Sequence, residues 1–346
     1  MRLMSRAPAR FLLASLSAIV FASVGTLAAQ AQGGGAGVPR TVDGRPDLQG
    51  VWANNVITPL QRPLELEGRA RLTREEMARL KSRMAELFSG DGDASFGDGV
   101  FLAALSDEKQ FKSSDKATGN YNHFWLSERT FDDRTSLVTD PPNGRFPELV
   151  PAAKARQEAA AARTKTSPAD GPEDRGLTER CITFGIPNIF AGYNSNFQIM
   201  QTRDYVVLLS EMIHDARVIP ITDRPHVGKD IRQVLGDSRG RWEGDTLVIE
   251  TTNFAAGGAL FLNTTDQLKL TERLTRVSDG TLEYAFTVED PGTYTKPWSA
   301  MIPWSKMDSK IYEYACHEGN IGMTGILSGH RAEEREAASN SKGSSK

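Results

Sequence analysis

The pattern of apolar and polar positions changes character near the middle of the chain. In the first half, apolar residues recur at helical spacing over 74–88 and predict an amphipathic helix. The alanine-rich stretch 151–163 predicts a second helix from its composition. From residue 181 onward apolar and polar residues alternate, as they do in strands with one buried face. The pattern therefore predicts helices first and a β-rich part after them.

Eight segments of the second half predict strands. Short polar turns such as 203–204 and 278–280 join several of them, and successive hairpins make an antiparallel meander. Because closure removes exposed sheet edges, we expect an up-and-down barrel or a strongly curved sheet, with the N-terminal helices covering it. The predicted class is mainly β (α+β). The candidate strands are 196–202, 205–212, 216–221, 246–252, 268–277, 281–289, 294–302 and 310–317.

Changes in composition divide the chain into four predicted parts. A leader over 1–31 is followed by a helical, loop-rich region over 32–176 that packs on the barrel. The barrel itself is predicted over 177–330, and a polar tail over 331–346 is predicted to be disordered. Within the second part, Trp52 belongs to an extended segment and is expected to pack on the core.

The leader has the features of a secretory signal peptide. Three arginines and no acid lie in the first ten residues, 11–28 is almost entirely apolar or small, and the A-Q-A run at 29–31 is a cleavage site. An uncleaved membrane anchor is the alternative. We expect cleavage after Ala31 and a periplasmic or secreted protein without a membrane contact.

The balance of charges excludes several kinds of partner. The chain has 41 Lys and Arg residues against 44 Asp and Glu residues, and its formal net charge is -3. Nucleic-acid binding and a polybasic membrane surface need a clear excess of positive charge. A small-molecule ligand or substrate is therefore the expected partner, and the sequence sets no oligomeric state.

The chain has only two cysteines, Cys181 and Cys316. In an exported protein two cysteines more often form a disulfide than a metal site. Two separate buried thiols are the alternative. A bridge between them would close a long loop, which the chain-entropy model values at about 4–5 kcal/mol.

Motifs for cofactors and metals are missing from the sequence. The chain has no G-x-G-x-x-G after a strand, no Walker-type loop and no G-x-S-x-G elbow. It also lacks H-E-x-x-H and cysteine pairs with zinc spacing. We therefore expect neither a cofactor nor a metal. A two-histidine metal site of His214, His317 and one carboxylate has no support from spacing.

Glu272 is the first candidate for chemistry. It shares one face of its predicted strand with Leu270 and Leu274, so its carboxylate is expected to be paired or to have a raised pKa. A raised carboxylate would suit general acid–base catalysis near neutral pH. The alternative is a buried Glu–Arg pair that fixes the strand register. Tyr284 carries the one hydroxyl on the apolar face of the following strand.

A second candidate is the segment between two predicted strands that contains Glu211, His214, Asp215 and Arg217. Either acid could orient His214 as a base, and Arg217 could bind an anion. A tight turn with an internal ion pair and a surface histidine is the alternative. His317, beside Cys316, is a further catalytic candidate. The remaining candidates for substrate contact are Trp298 and Tyr314.

Two longer runs carry a resemblance to other proteins. GDSRGRWEGDTLVIET at 236–251 and YEYACHEGN at 312–320 resemble a family of exported soil-bacterial proteins of unassigned function. The resemblance implies no activity and no functional residue. A looser similarity to lipocalin-type barrels rests on a G-x-W motif at 50–52 or 240–242, and it implies a barrel.

These features lead to three hypotheses about function. The first is an exported, cofactor-independent enzyme for proton transfer on a small, partly apolar molecule, with His214 and Glu272 as base and acid. Elimination, isomerisation, cyclisation and hydrolysis are the reactions considered. The second is a lipocalin-like carrier of an apolar ligand, and the third is a structural envelope protein. Several titratable groups in one cavity would favour the enzyme, and an apolar lumen the carrier.

Overall fold

Ten strands and four α-helices occur in the part of the chain that the structure describes. The computed structural model describes residues 37–87, 98–106, 129–255 and 264–343, so the predicted signal peptide over 1–31 lies outside it. The strands are β1 Gly50–Ala53, β2 Val138–Asp140, β3 Asn196–Gln201, β4 Tyr205–Ser210, β5 Ala216–Pro220, β6 Asp237–Glu243, β7 Thr246–Thr252, β8 Lys269–Arg276, β9 Thr281–Glu289 and β10 Trp298–Met307. The helices are α1 Arg74–Leu87, α2 Asp98–Leu105, α3 Pro151–Thr166 and α4 Ile321–Gly343.

Nine of these strands follow one another around a nearly closed barrel. From β1 the sheet runs through β3 and β4 to β5 in one direction, and through β10, β9, β8 and β7 to β6 in the other. The ladders between these neighbours are antiparallel. β2 lies off this path and pairs with β10. The predicted class, a mainly β antiparallel barrel with helices, is confirmed.

The seam of the barrel lies between β5 and β6. In a closed ring of antiparallel neighbours the strand direction alternates, so an odd number of strands leaves one pair parallel. The bridge between Ile221 and Gly240 is parallel, and the Thr222 amide donates to the Gly240 carbonyl at 3.0 Å. A Cβ at Gly240 would lie 2.7 Å from the Ile221 side chain. Glycine therefore allows the two strands to approach.

Two sequence-predicted helices are confirmed, and one of them has its own small core. At the start of α1, the Thr73 amide donates to the Glu76 carboxylate at 2.8 Å, and the Glu76 amide donates to the Thr73 hydroxyl at 3.2 Å. This reciprocal pair caps the helix. Leu80 and Met84 of α1 pack against Phe101 of α2 in a cluster separate from the barrel core. The alanine-rich helix is α3.

Three strand predictions were wrong. β6 was not predicted, because Gly240 and the charged residues around it interrupt the alternation of apolar and polar residues. The strand expected over 294–302 is β10, which continues past Pro303 to Met307. Proline is tolerated there because it lies between the stretches of β10 that pair with β2 and with β1. The segment 310–317 is not a strand, and a disulfide ties it to the chain before β3.

The predicted division of the chain also needs correction. The barrel is not confined to 177–330, because β1 lies between β3 and β10. The described residues belong to one compact unit without a boundary at 164–176. The tail expected to be disordered continues α4 as far as Gly343. Its alanine, glutamate and arginine residues favour helix, and Arg331 pairs with Glu334 one turn later.

Side chains fill the interior of the barrel. Along β9 buried and half-buried residues alternate over the whole strand, so every second side chain points inward. β8 follows the same rule and places Glu272 in the lumen between leucines, as predicted. The inward residues of β8, β9 and β10 are Leu270, Glu272, Leu274, Arg276, Leu282, Tyr284, Phe286, Val288, Trp298, Ala300, Ile302 and Trp304.

Candidate functional site

The two ends of the barrel are built differently. At the turn end, tight turns at 202–204, 244–245 and 277–280 connect the strands. At the loop end, the longer segments 183–195 and 211–215 approach the strand ends. Several buried polar side chains belong to these two segments. The candidate site therefore lies toward the loop end of the lumen.

A buried ion pair spans the lumen below the loop end. Arg217 of β5 donates to both oxygens of Glu272 on β8, at 2.9 Å to Oε1 and 2.6 Å to Oε2. The hydroxyl of Tyr284 on β9 donates to Oε1 at 2.7 Å. Glu272 is 0 % exposed, and Arg217 and Tyr284 are 8 % and 2 % exposed. Arg217 and Tyr284, two of the candidate residues named from the sequence, are therefore partners of the Glu272 carboxylate.

Burial and charge shift the pKa values of Arg217 and Tyr284. Burial opposes the charge on Arg217, but the neighbouring Glu272 carboxylate outweighs it and holds the pKa of Arg217 above its ordinary value. Burial, followed by the same carboxylate charge, raises the pKa of Tyr284 well above its ordinary value. Tyr284 therefore keeps its proton and acts as a hydrogen-bond donor.

A small cavity adjoins the ion pair. Its volume is about 30 Å³, enough for one water molecule or one polar group of a larger molecule. Three lining residues are Arg217, Glu272 and Tyr284, and Asp215 and Trp304 line it as well. Two nitrogens of these residues, Arg217 Nε and Trp304 Nε1, are buried without a hydrogen-bond partner. Buried polar atoms are usually paired, but Trp298 Nε1, in the core outside this cavity, is orphaned in the same way.

Asp215 reaches the cavity from the start of β5. Its Oδ2 atom accepts hydrogen bonds from the Thr183 hydroxyl at 2.7 Å and from the Phe184 amide at 2.8 Å. Its Oδ1 atom accepts none from the residues that the structure describes, and the side chain is half-buried. The carboxylate is thus held in place by one oxygen while the other remains available.

Backbone strain marks the residues just before Asp215. Ile213 has φ 56° and ψ 18°, and His214 has φ 47°. A β-branched residue in the left-handed region is a true outlier. Ile213 is only 2 % exposed and packs with Met212 and Phe184, so surrounding contacts hold the strained turn in place. Strain of this kind clusters at functional sites.

The predicted disulfide is present and lies beside this turn. Cys181 and Cys316 are bridged, with their Cα atoms 5.7 Å apart. Cys316 and Tyr314 pack against the cluster that contains Ile213. The bridge therefore ties the C-terminal segment to the loop end. A disulfide is typical of proteins from oxidising compartments. Among the described helices, none combines the length and apolar character that crossing a membrane requires.

The predicted histidines lie together, but away from the cavity. The rings of His214 and His317 have their centroids 6.1 Å apart, and both residues are exposed. Neither residue lines the cavity next to Glu272. Their predicted catalytic roles, and the pairing of His214 with Glu272 as base and acid, gain no support from this placement. The reason is local, because the left-handed turn directs His214 outward.

Three other predicted residues also lie outside the cavity lining. Glu211 is buried and accepts hydrogen bonds from the side-chain amides of Asn194 and Asn196, at 2.7 and 2.6 Å. Trp298 is 0 % exposed and packs on Phe146 at 4.4 Å between ring centroids. Trp298 is therefore a core residue rather than an accessible substrate contact. Tyr314 packs beside the disulfide instead of in the lumen.

Trp304 is one of several lining residues that were not predicted from the sequence. It lies two residues beyond the predicted end of its strand, which stopped before Pro303. A signal was present, because Trp298, Ala300, Ile302 and Trp304 continue a period of two. Ser210 and Asn188 complete the polar rim of the cavity, with the Asn188 amide donating to the Ser210 hydroxyl at 3.3 Å.

Two further clusters of titratable residues lie elsewhere. Nδ1 of His226 is 2.9 Å from Asp237, and Nε2 is 3.4 Å from Glu250. A carboxylate thus lies near each ring nitrogen of His226.

The second of these clusters has the residue types of a metal site. Asp170, His330 and Glu334 have potential ligand atoms within 4.8 Å of one another. Arg331 is 3.7 Å from Asp170 and 3.2 Å from Glu334, so the two carboxylates already share a cation.

Comparisons with known proteins leave the chain without an assigned relative. No family model, no curated protein and no solved structure matches it significantly. The resemblance to exported soil-bacterial proteins and the likeness to lipocalin-type barrels therefore stay predictions. Function is therefore inferred from the geometry of the loop end.

Proposed function

We propose that the protein is an exported enzyme that transfers protons on a small, partly apolar organic molecule without a resident cofactor. One observation carries the proposal: four titratable side chains, Asp215, Arg217, Glu272 and Tyr284, line a single cavity in the barrel. Convergence of such groups is typical of active sites and unusual in a purely structural lumen. Isomerisation, elimination, cyclisation and hydrolysis all need this kind of chemistry.

The proposed roles differ from those predicted from the sequence. Asp215 is the general base, because it lines the cavity and its hydrogen bonds with Thr183 and Phe184 engage only Oδ2. Glu272 is a positioning residue, since its carboxylate already accepts hydrogen bonds from Arg217 and Tyr284. Arg217 in turn holds the Glu272 carboxylate in place through two hydrogen bonds. His214 is replaced as the base because it does not line the cavity.

A carrier of an apolar ligand is less well supported than an enzyme. Ligand pockets usually have volumes of about 300–1,000 Å³. The cavity beside Glu272 has about 30 Å³, and aromatic and aliphatic side chains occupy the lumen around it. Such a cavity admits the reacting group of a substrate, with the rest of the molecule at the loop end. Export to the periplasm or beyond is supported by the disulfide and by the leader at 1–31.

Asp215→Asn tests the proposed base. The amide oxygen can still accept the hydrogen bonds from Thr183 and Phe184, while an NH₂ group replaces the available oxygen. The assay follows deuterium uptake from D₂O and product formation by proton NMR, using a panel of ketones, esters, hydroxy acids and unsaturated acids. We expect turnover of at least one compound, reduced about 100-fold or more in the variant.

The matched control is Asp230→Asn, which changes an exposed aspartate outside the cavity. This variant should keep wild-type turnover. Equal rates in the Asp215→Asn variant and the wild type, or no turnover across the panel, would contradict the proposal. Melting curves of both variants separate loss of chemistry from loss of fold.

A further inference from the structure

Three side chains that can bind a metal converge where α4 meets the loop after α3. His330 and Glu334 lie four residues apart on α4 and so share one side of the helix, and Asp170 belongs to the loop. One potential ligand atom of each residue lies within 4.8 Å of the other two. No other group of three histidine, cysteine or carboxylate side chains converges this closely in the part of the chain that the structure describes.

The distances from the histidine match the geometry of a tetrahedral ion. His330 Nε2 is 3.4 Å from Oδ1 of Asp170 and 3.6 Å from Oε1 of Glu334. Zinc binds such nitrogen and oxygen atoms at about 2.0–2.2 Å, so two ligands at a tetrahedral angle lie about 3.4 Å apart. An octahedral magnesium ion, with bonds of about 2.0–2.1 Å, brings neighbouring ligands to about 3.0 Å and prefers oxygen to imidazole. Both the spacing and the donor set therefore favour zinc over magnesium.

The imidazole of His330 is oriented as a zinc ligand needs to be. Its side chain is 13 % exposed, and Nε2 is the ring nitrogen that lies near both Asp170 and Glu334. Nδ1 is buried and has no hydrogen-bond partner among the described residues. Histidines that bind zinc usually donate their second N–H to a carboxylate, a carbonyl or water. The Glu333 carboxylate, 3.7 Å from Nδ1, is a group of this type on the opposite side of the ring.

Arg331 contacts the two carboxylates without taking the place of the metal. Its Nε atom pairs with Oε2 of Glu334 at 3.2 Å, whereas Oε1 is the oxygen near His330. Its Nη2 atom is 3.7 Å from Oδ1 of Asp170, beyond hydrogen-bond range, and donates to the Ala169 carbonyl at 3.0 Å. The arginine therefore holds the loop against α4 and leaves one oxygen of each carboxylate beside the imidazole.

We propose that Asp170, His330 and Glu334 bind one zinc ion, with water as the fourth ligand, and that the ion links α4 to the loop after α3. One imidazole and two carboxylates are donors that zinc accepts, and three protein ligands leave one position for water. The site lies outside the cavity beside Glu272, so its role is structural and goes beyond the proposed function. Asp170 and His330 are 160 residues apart, which is why no spacing motif indicates the site.

Calorimetric titration of the metal-free, full-length protein with zinc chloride measures the binding. We expect one zinc ion per chain, and no comparable binding of magnesium chloride. His330→Gln and Glu334→Gln should each weaken zinc binding about 100-fold. The matched controls are His317→Gln and Glu336→Gln, which remove a histidine and a glutamate outside the cluster and should leave the affinity unchanged. His317 is the more informative control, because its ring lies only 6.1 Å from that of His214.

Hydrogen exchange followed by mass spectrometry tests the link between the two elements. Zinc should slow amide exchange both in α4 around 327–337 and in the loop 167–171, because the ion stabilises the state in which they are joined. Asp170→Asn should abolish the slowing in the loop.

Melting curves in zinc-free buffer verify that each variant is folded, and Glu334→Gln, at an exposed residue, serves if His330→Gln does not fold. Four results would overturn the proposal. They are an absence of zinc binding, unchanged binding in the ligand variants, loss of binding in His317→Gln, and slowed exchange in α4 alone. Magnesium binding as tight as that of zinc would also contradict it, since it would indicate only a general attraction of cations to the carboxylates.

Discussion

Two buried arginines lie one toward each end of the barrel. They differ in how many of their side-chain nitrogens donate hydrogen bonds. At the turn end Arg276 is 2 % exposed and uses all three side-chain nitrogens. They donate to the backbone carbonyls of Asp47, Ser278 and Asp279, and to the Asp279 carboxylate. Its guanidinium also lies over the Trp52 ring, 5.4 Å from the centroid. Toward the loop end, Arg217 is almost as deeply buried but keeps one N–H without a partner.

The difference separates a structural arginine from a candidate functional one. Arg276 ties the β8–β9 turn to the segment before β1, and its partners are mostly backbone atoms of this chain. Arg217 lines a cavity together with three other titratable residues, Asp215, Glu272 and Tyr284. Burial alone therefore does not identify a functional charge in this lumen. The titratable side chains that line one cavity with Arg217 do so.

The largest expected effect concerns the disulfide of the loop end. Replacing Cys181 and Cys316 with serine should lower the free energy of unfolding by about 4–5 kcal/mol, because the bridge closes a separation of 135 residues. Urea denaturation of the two proteins measures this loss. The matched control is reduction of the wild-type protein with dithiothreitol, which should approach the same stability. A loss below about 1 kcal/mol would show that the loop end is held by packing alone.

Glu272→Gln is the sharpest test of the buried pair. The change leaves Arg217 charged in the lumen without a negative partner, and we expect a loss of about 3–5 kcal/mol in the free energy of unfolding. Glu243→Gln removes one member of an exposed pair with Arg273 and should cost at most about 1 kcal/mol. A Glu272→Gln protein as stable as the wild type but inactive would instead make Glu272 a catalytic group.

Arg276→Met tests the turn end. Buried carbonyl oxygens lose their donor, but no buried carboxylate is left behind, since the Asp279 side chain is 72 % exposed. We therefore expect a smaller loss of about 1–3 kcal/mol in the free energy of unfolding, with unchanged turnover of any substrate. Thermal and urea unfolding give the stability, and the NMR assay gives the turnover. Reduced turnover without a shift in melting temperature would break the distinction between the two ends.

The smallest effect is a pH dependence. The pKa of Tyr284 is raised in the folded protein, so folding favours its neutral form. Its contribution is complete below the unfolded pKa of about 10 and falls as the pH rises further, by up to about 1.4 kcal/mol per pH unit for one proton. The pKa of Tyr294 is raised to about 12 and adds a second, similar dependence. Tyr284→Phe should flatten the decline in unfolding free energy between pH 10 and 12, while Tyr312→Phe, at an exposed tyrosine, should leave it unchanged.

Much of the barrel could be predicted from short-range pattern, and the exceptions have local causes. The lumen face of β8 and β9 follows from alternation, which placed Glu272 and Tyr284 inward. The pattern did not predict β6, where Gly240 allows close approach of the strands at the seam. It also ended the last strand before Pro303, which lies between the stretches of β10 that pair with β2 and with β1. For the site, Glu272, Arg217 and Tyr284 were among the predicted residues and do meet, whereas Trp304 lay just beyond a strand that was ended too early.

The sequence by itself determined the features that depend on neighbouring residues or on counting. These are the capped helix α1, the period of the strands, and a disulfide between the only two cysteines. Only the tertiary structure decided which inward groups meet, because Arg217 and Glu272 are 55 residues apart and face each other across the lumen. It also placed His214 in a strained turn and brought four titratable residues to one cavity. Such relations depend on strand register and on the closure of the ring, which no local pattern specifies.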